Sequence, residues 1–385
     1  MSSKSRNRRA AKHVAVDQLD APPASSNVEG APIFALRVWI AAMYAATLWV
    51  THRLWIERAQ PPLLPWIELP AFSGYGELLF ATACLFVVWP RFGLAANVVV
   101  GLVAMTADQT RMQPQIFSFW LLMLGTWRAP SAQLLGRTHL ASLWFFSGLH
   151  KLLSPEYFTA VGPWMWQGLF PLERWPDVPD YSRQLATVIA STELLLGLFI
   201  WWRRARPVVA GVAASLHIGI VGMLYSMNGW NTSVWGWNLA LAATAIVLVG
   251  GWRIPLVEQL RICGSFASLA ALLLFVSPML FYVGTLDAYL CHCLYSANVP
   301  TAHFVPGPET HMPPYQLQGI EGPYWKNLNV PQPPTHRNFE LYFRRVARKG
   351  DKLIVSDSRV WAIRSGWGHY AWEFGESGIQ RIPLP

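Results

Sequence analysis

Charge is what this sequence has least of. Only 13% of its 385 residues are Asp, Glu, Lys or Arg, where an average soluble protein carries roughly 25%. Hydrophobic residues make up 53%. A soluble chain this apolar would expose sticky surface, and a bilayer removes that cost. Cysteine is scarce as well, and four residues do not make a disulfide scaffold. Cys84 and Cys263 fall in apolar runs and read as small core residues. Cys291 and Cys293 flank His292 in Leu290-Cys291-His292-Cys293, but two cysteines and one histidine fall short of a structural zinc set, so no metal is expected. No repeat of solenoid length is visible. Nor is there a basic stripe with spaced aromatics, so nucleic acid is not an expected partner.

What the sequence does have is tryptophan, 21 residues of it, a side chain that favours the membrane–water interface. The net charge of +9 lies largely in the leader (Lys4, Arg6, Arg8, Arg9, Lys12) and in short loops between apolar runs. Residues 1–32 read as a disordered basic cytoplasmic leader, not a signal peptide, because the first apolar run is too long and lacks a small-residue cleavage site. Apolar runs then predict an all-α multi-pass transmembrane bundle over 33–290. Its spans are expected at 34–55, 73–90, 94–108, 115–128, 134–153, 184–202, 207–227, 232–251 and 263–286. A span needs about twenty residues, so the short third and fourth runs are candidates for tilted or re-entrant segments, and the count is about nine or eight.

Loop charge orients the bundle. With the leader inside, the inner loops hold Arg91, Arg128, Arg137, Arg203, Arg204, Arg206, Arg253 and Arg261. The outer loops hold Glu57, Glu68, Asp108, Glu156, Glu173, Asp177 and Asp180. That split follows the positive-inside rule and predicts a cell-membrane protein with its C-terminus outside. The long outer loop 154–183 contains Pro163-Trp164-Met165-Trp166, Pro171 and Trp175-Pro176, and reads as a surface-lying anchor or a lid. Beyond the bundle, 291–385 reads as a small extracytoplasmic domain, Pro-rich over 296–335 and then β-rich. Strands are expected at Phe339–Phe343, Lys352–Val355, Trp361–Arg364 and His369–Phe374, with Lys349-Gly350-Asp351 as a turn.

Ionisable groups inside spans are costly and each needs a reason. Asp108, Arg111 and Gln113 form a polar run at the outer end of span three. His150 and Lys151 end span five, Glu193 sits midway in span six, His217 mid-span seven, and Asn238 follows Trp235-Gly236-Trp237 in span eight. With this topology all face the outer half of the bilayer, the usual way a bundle builds a polar pocket. Taken singly, Lys151 could snorkel, Arg111 could pair with Asp108, and His217 could be a satisfied core histidine. Glu193 needs a partner or a proton. As a set they suit proton chemistry: a lysine in low-dielectric surroundings yields its proton more readily and serves as a base. Tryptophans at that depth could stack a flat ring such as a quinone.

At these residues the sequence resembles the bacterial HTTM family, relatives of the vitamin K-dependent gamma-carboxylase. The likeness rests on Phe146-Ser147-Gly148-Leu149-His150-Lys151-Leu152, on the Asp-Gln-x-Arg-x-Gln-Pro run at 108–114 and on Trp-x-Trp-Asn at 235–238. It covers roughly 34–290, in pattern more than identity, and similar bundles occur in DoxX-like proteins, some of which reduce quinones. The resemblance implies that Lys151 is the counterpart of the lysine proposed to deprotonate vitamin K hydroquinone. His150 departs from the carboxylase, which has a second lysine there, and the C-terminal domain is far smaller, so glutamate carboxylation is not carried over. The expectation is a membrane enzyme with Lys151, His150, Glu193 and His217 as catalytic residues. Asp108, Arg111, Gln113, Trp235 and Asn238 would bind a quinone or hydroquinone. The alternative is a non-catalytic anchor or assembly protein displaying the C-terminal domain to a partner, its polar groups only joining helices. A transporter is disfavoured by the lack of paired broken helices.

Overall fold

The structure is a computed structural model, and it describes residues 30–57, 63–169, 178–227, 229–293, 296, 298–308 and 335–384. Residues 1–29 of the expected leader, the 170–177 part of the Pro/Trp-rich loop and most of the Pro-rich stretch lie outside the described residues, while 31 and 32 belong to the first helix.

Helices follow the apolar runs, and proline marks where several begin. α1 is Ala31–Val50, α2 Tyr75–Val88, α3 Pro90–Ala107, α4 Pro114–Gly125 and α5 Pro130–Leu152. α6 is Gly162–Leu169, α7 Val178–Phe199, α8 Arg206–Ser226, α9 Trp235–Thr244 and α10 Leu256–Val276. A proline sits in the first turn of α1, α3, α4, α5 and α8, where its missing N–H has no helical partner to lose. α9 continues as a π-helical segment to Gly250, and α10 as a 3₁₀ segment to Val283. α10 starts seven residues before the apolar run that predicts it, and breaks at Gly264 (φ 77°), where glycine accepts the left-handed backbone.

Among the described residues, five stretches are long and apolar enough to cross a membrane: Ala31–Val50, Pro90–Ala107, Arg206–Ser226, Thr232–Gly250 and Leu256–Val283. The third expected span is thus not short, because its helix begins at Pro90. Tyr75–Val88 and Pro114–Gly125 are apolar but shorter. The bundle's outer surface carries large apolar side chains such as Phe92, Val208 and Phe266. Cys84 is among the exposed residues and Cys263 is half-buried, so neither is the core cysteine that its apolar setting suggests.

One end of the bundle is tied by buried arginines. Arg137 donates to Leu248 O, Gln133 and Gln259, and Arg206 to Ile200 O, Trp252 O and Ile254 O. Both guanidinium groups lie over the Trp252 ring. The other end carries a four-stranded antiparallel sheet in the order β1 Thr301–Val305, β2 Lys352–Ser356, β3 His369–Gly375, β4 Gly378–Pro383. Its register sets Phe304 opposite Leu353 and Leu353 opposite Trp372.

Two of the expected strands are helices instead. His336–Val346 (α11) buries Phe339, Tyr342 and Phe343 against the sheet. That spacing of three and four is helical, and the Thr335 side chain caps the helix by accepting from the Asn338 N–H. Val360–Arg364 (α12) is a short helical turn rather than a strand. β1 and β4 are strands that the sequence pattern did not mark.

The module is fastened to the bundle. Leu64, from the α1–α2 loop, is fully buried in its core beside Phe304 and Phe343. Arg359 donates to the Phe281 carbonyl and lies over the Phe281 ring, and Arg345 pairs with Glu68.

Candidate functional site

α5 and α7 approach closely because each offers a glycine to the other. A Cβ on Gly148 would lie 2.4 Å from Leu194 N and 2.5 Å from Ala190 O. One on Gly197 would lie 2.5 Å from Phe145 N and 2.6 Å from Ala141 O. Small residues at such crossings let backbones touch. One turn beyond Gly148, that contact sets Lys151 directly against Glu193.

Lys151 Nζ donates to Glu193 Oε2 in an ion pair and to Ser147 Oγ at 2.8 Å, while Ser147 Oγ donates to the same Glu193 oxygen at 3.1 Å. Both charged residues are buried, at 4% and 6% exposure. One of the three ammonium N–H donors and Glu193 Oε1 take no hydrogen bond among the described residues. The pair lines a cavity of about 250 Å³ whose walls are mostly apolar and aromatic, including Trp144, Tyr157, Met165, Trp166 and Trp237.

His217 and Asn238 line the same cavity. His217 Nε2 receives the Trp144 indole N–H at 2.9 Å, and its Nδ1 meets Asn238 Oδ1 at 2.8 Å. An indole can only donate, so Nε2 carries no proton and Nδ1 does. Asn238 is oriented in turn by donating to Val234 O at 2.9 Å. His217 is therefore a neutral imidazole with both nitrogens occupied. It shapes the wall and is not set up to exchange protons, as its expected catalytic role requires.

Lys151, Glu193, His217 and Asn238 thus converge as the sequence suggests, and the other five candidates do not. His150 points away from the cavity: its Nδ1 meets Tyr282 Oη at 2.6 Å and its Nε2 meets the Cys291 carbonyl at 2.8 Å. Adjacent helix residues differ by about 100° in direction, which is why Lys151 and His150 part.

Asp108, Arg111 and Gln113 form a separate buried clamp. Asp108 Oδ1 accepts the Leu64 and Thr110 N–H groups. Arg111 donates to Leu54 O, Ala104 O and Ile56 O and lies over Tyr75, and Gln113 donates to Thr110 O. These residues hold the α1–α2 loop, and with it Leu64. Trp235 donates to Trp230 O outside the cavity lining, and its neighbour Trp237 takes the place expected for it in the wall, donating to Ser118 Oγ.

In the Pro/Trp-rich segment, Met165 and Trp166 roof the cavity while Trp164 faces outward against Trp230. The residues that sequence reasoning missed are Trp144, Tyr157 and His292. Trp144 and Tyr157 carry no sequence signal, and His292 stands out only as the centre of the Cys291-His292-Cys293 cluster, so the packing alone places all three at the cavity. Among the described residues, no three His, Cys, Asp or Glu side chains group as a metal site. Cys291 and Cys293 are free and buried. Burial first, then Asp287, pushes the Cys291 thiol up to about 12, which leaves it a poor nucleophile. No protein-family model matches the chain, and no curated protein or solved structure is significantly similar to it.

Proposed function

We propose that this chain is a multi-pass membrane protein, with its N-terminus inside and its C-terminal sheet outside. On this reading it admits a flat, lipid-soluble, quinone-like molecule to the cavity beside Lys151 and Glu193. The reading is carried by the ion pair in a cavity wall. A buried salt bridge contributes little to stability, so helix glue alone is a weak reason for one here. The N–H of Lys151 and the Oε1 of Glu193 that take no hydrogen bond among the described residues together match a ligand oxygen that is an acceptor in one state and a hydroxyl in the other. Passing one ammonium proton to Glu193 leaves Lys151 a neutral amine, and that amine accepts the hydroxyl proton of a bound hydroquinone. Trp144, Trp166 and Trp237 supply faces for the ring. The likeness of Gly148-Leu149-His150-Lys151-Leu152 to the HTTM family and the gamma-carboxylase favours the same role for this lysine. The outward-facing apolar side chains and the basic residues of alternate loops favour the nine-span arrangement.

The test is titration of the protein in lipid nanodiscs with decylubiquinone, followed by tryptophan fluorescence. Saturable quenching is expected, weakened about tenfold or more in Lys151→Met/Glu193→Gln, which corresponds to about 1.4 kcal/mol. Organic extraction of the purified protein should yield a bound quinone. Linear quenching identical in both proteins, with no quinone in the extract, would sink the reading. A second role is compatible with the first: the Asp108–Arg111–Gln113 clamp presents Leu64 to the C-terminal module, which favours the bundle also serving as that module's anchor.

A further inference from the structure

His292 lies at the centre of a feature that the Lys151–Glu193 site does not use. It lines the first cavity and also a second one of about 470 Å³ on the other side of the loop, between α3, α4, α5 and α10. The second cavity is walled by apolar side chains such as Val98, Phe117, Leu121 and Leu274. Among the described residues, neither ring nitrogen of His292 has a hydrogen-bond partner, and the residue is half-buried rather than sealed off. An imidazole set between two chambers with both nitrogens unclaimed is available to a ligand.

The backbone is built to put it there. His292 has φ 62°, a left-handed conformation uncommon outside glycine and one that needs support from its surroundings. That support comes from both sides. The Cys291 and Cys293 N–H groups both donate to Ala288 O, and their side chains pack into a small core with Phe281 and Ala288. The Cys291 carbonyl accepts from His150 Nε2. A carbonyl only accepts, so Nε2 carries the His150 proton, and Nδ1 receives the Tyr282 hydroxyl. His150 is therefore a positioning residue that fixes the loop from which His292 projects. Burial first, then His139 and His150, pushes His292 well below the ordinary histidine range. A neutral imidazole both accepts from a hydroxyl and donates to a carbonyl. His139 lines the second cavity too, its ring centroid 5.6 Å from that of His292, and its buried Nδ1 has no hydrogen-bond partner among the described residues.

We propose that this second cavity is a separate ligand site for an apolar, lipid-borne molecule with a single polar oxygen, and that His292 is the group that binds this oxygen. The two chambers then form a two-compartment site with one shared imidazole wall. The second site stands without the quinone reading of the first.

The test uses 1-naphthol, a two-ring apolar probe with one hydroxyl, which the second cavity is large enough to hold. In its excited state it is a strong acid and passes its hydroxyl proton to an adjacent imidazole nitrogen, and the naphtholate so formed emits at longer wavelength. The measurement is made in the Lys151→Met/Glu193→Gln background, so failure of the first site leaves its outcome unaffected. Saturable binding with naphtholate emission is expected. Adding His292→Asn, which tolerates the left-handed backbone, should abolish the saturable, protein-dependent part of the naphtholate band above that of free probe in water, and weaken binding about tenfold. Leu121→Trp, which narrows the cavity from α4 and replaces neither histidine, should weaken binding. Unchanged emission in His292→Asn, or unchanged affinity in Leu121→Trp, overturns the proposal.

Discussion

Lys151 and Glu193 share the Ser147 hydroxyl and one another, so removing either charge strands the other among apolar walls. Lys151→Met should therefore cost about 3–5 kcal/mol, the usual result of leaving a buried partner uncompensated. Lys151→Met/Glu193→Gln should recover most of that loss, because no net charge is left buried. Thermal unfolding in one detergent checks the order: the double variant should melt above the single one. A double variant melting lower than Lys151→Met would mean that the two residues do not act as a pair. The same scale explains why His217 is a poor proton carrier despite its place in the wall. Its two nitrogens are committed to Trp144 and Asn238, and a proton added at Nε2 would face an indole N–H.

Between helices, the pair depends on the α5–α7 crossing. Gly148 meets the backbone of Ala190 and Leu194 where a Cβ has no room. Gly148→Val should push the helices apart at a cost of about 1–3 kcal/mol, in line with overpacked cores. It should also weaken decylubiquinone quenching, although residue 148 does not line the cavity. Wild-type quenching and melting in that variant would show that the crossing tolerates a side chain. The Asp108–Gln113 run works at this scale as well. It caps the turn between α3 and α4 and holds the neighbouring loop through backbone groups, a structural use of residues that look like ligand contacts in sequence.

For the molecule as a whole, the joint between bundle and sheet runs through Asp357. It accepts from His336 and from Arg359, which reaches across to the Phe281 carbonyl. Burial alone would raise this carboxyl, but the hydrogen bonds from His336 and Arg359 outweigh it and hold it at about 2, against an ordinary 3.8. A carboxyl lowered in the folded state adds stability above its unfolded value. That stability, about 2 kcal/mol, is lost as pH falls from about 4 through about 2. Hydrogen exchange of the sheet amides across that window should accelerate in the wild type and lose most of its pH dependence in Asp357→Asn. Equal acid sensitivity in both proteins would place the acid-labile joint elsewhere.

Much of this was legible from local chemistry. Apolar runs and first-turn prolines mark the helices, because a helix hides its own backbone and proline costs nothing at its start. The mid-span carboxylate Glu193 called for a partner, and Lys151 meets that need. What the linear order could not decide is direction and distance. His150 and Lys151 are neighbours in sequence, yet a helical step of about 100° sends one to the loop and the other to the cavity. The 339–343 run suits strand or helix until the sheet beneath it selects the spacing of Phe339, Tyr342 and Phe343. His292 gains its position from a local turn onto the Ala288 carbonyl and from His150, 141 residues away in the chain, which holds the Cys291 carbonyl. The His150 contact exists only once the bundle has closed around it.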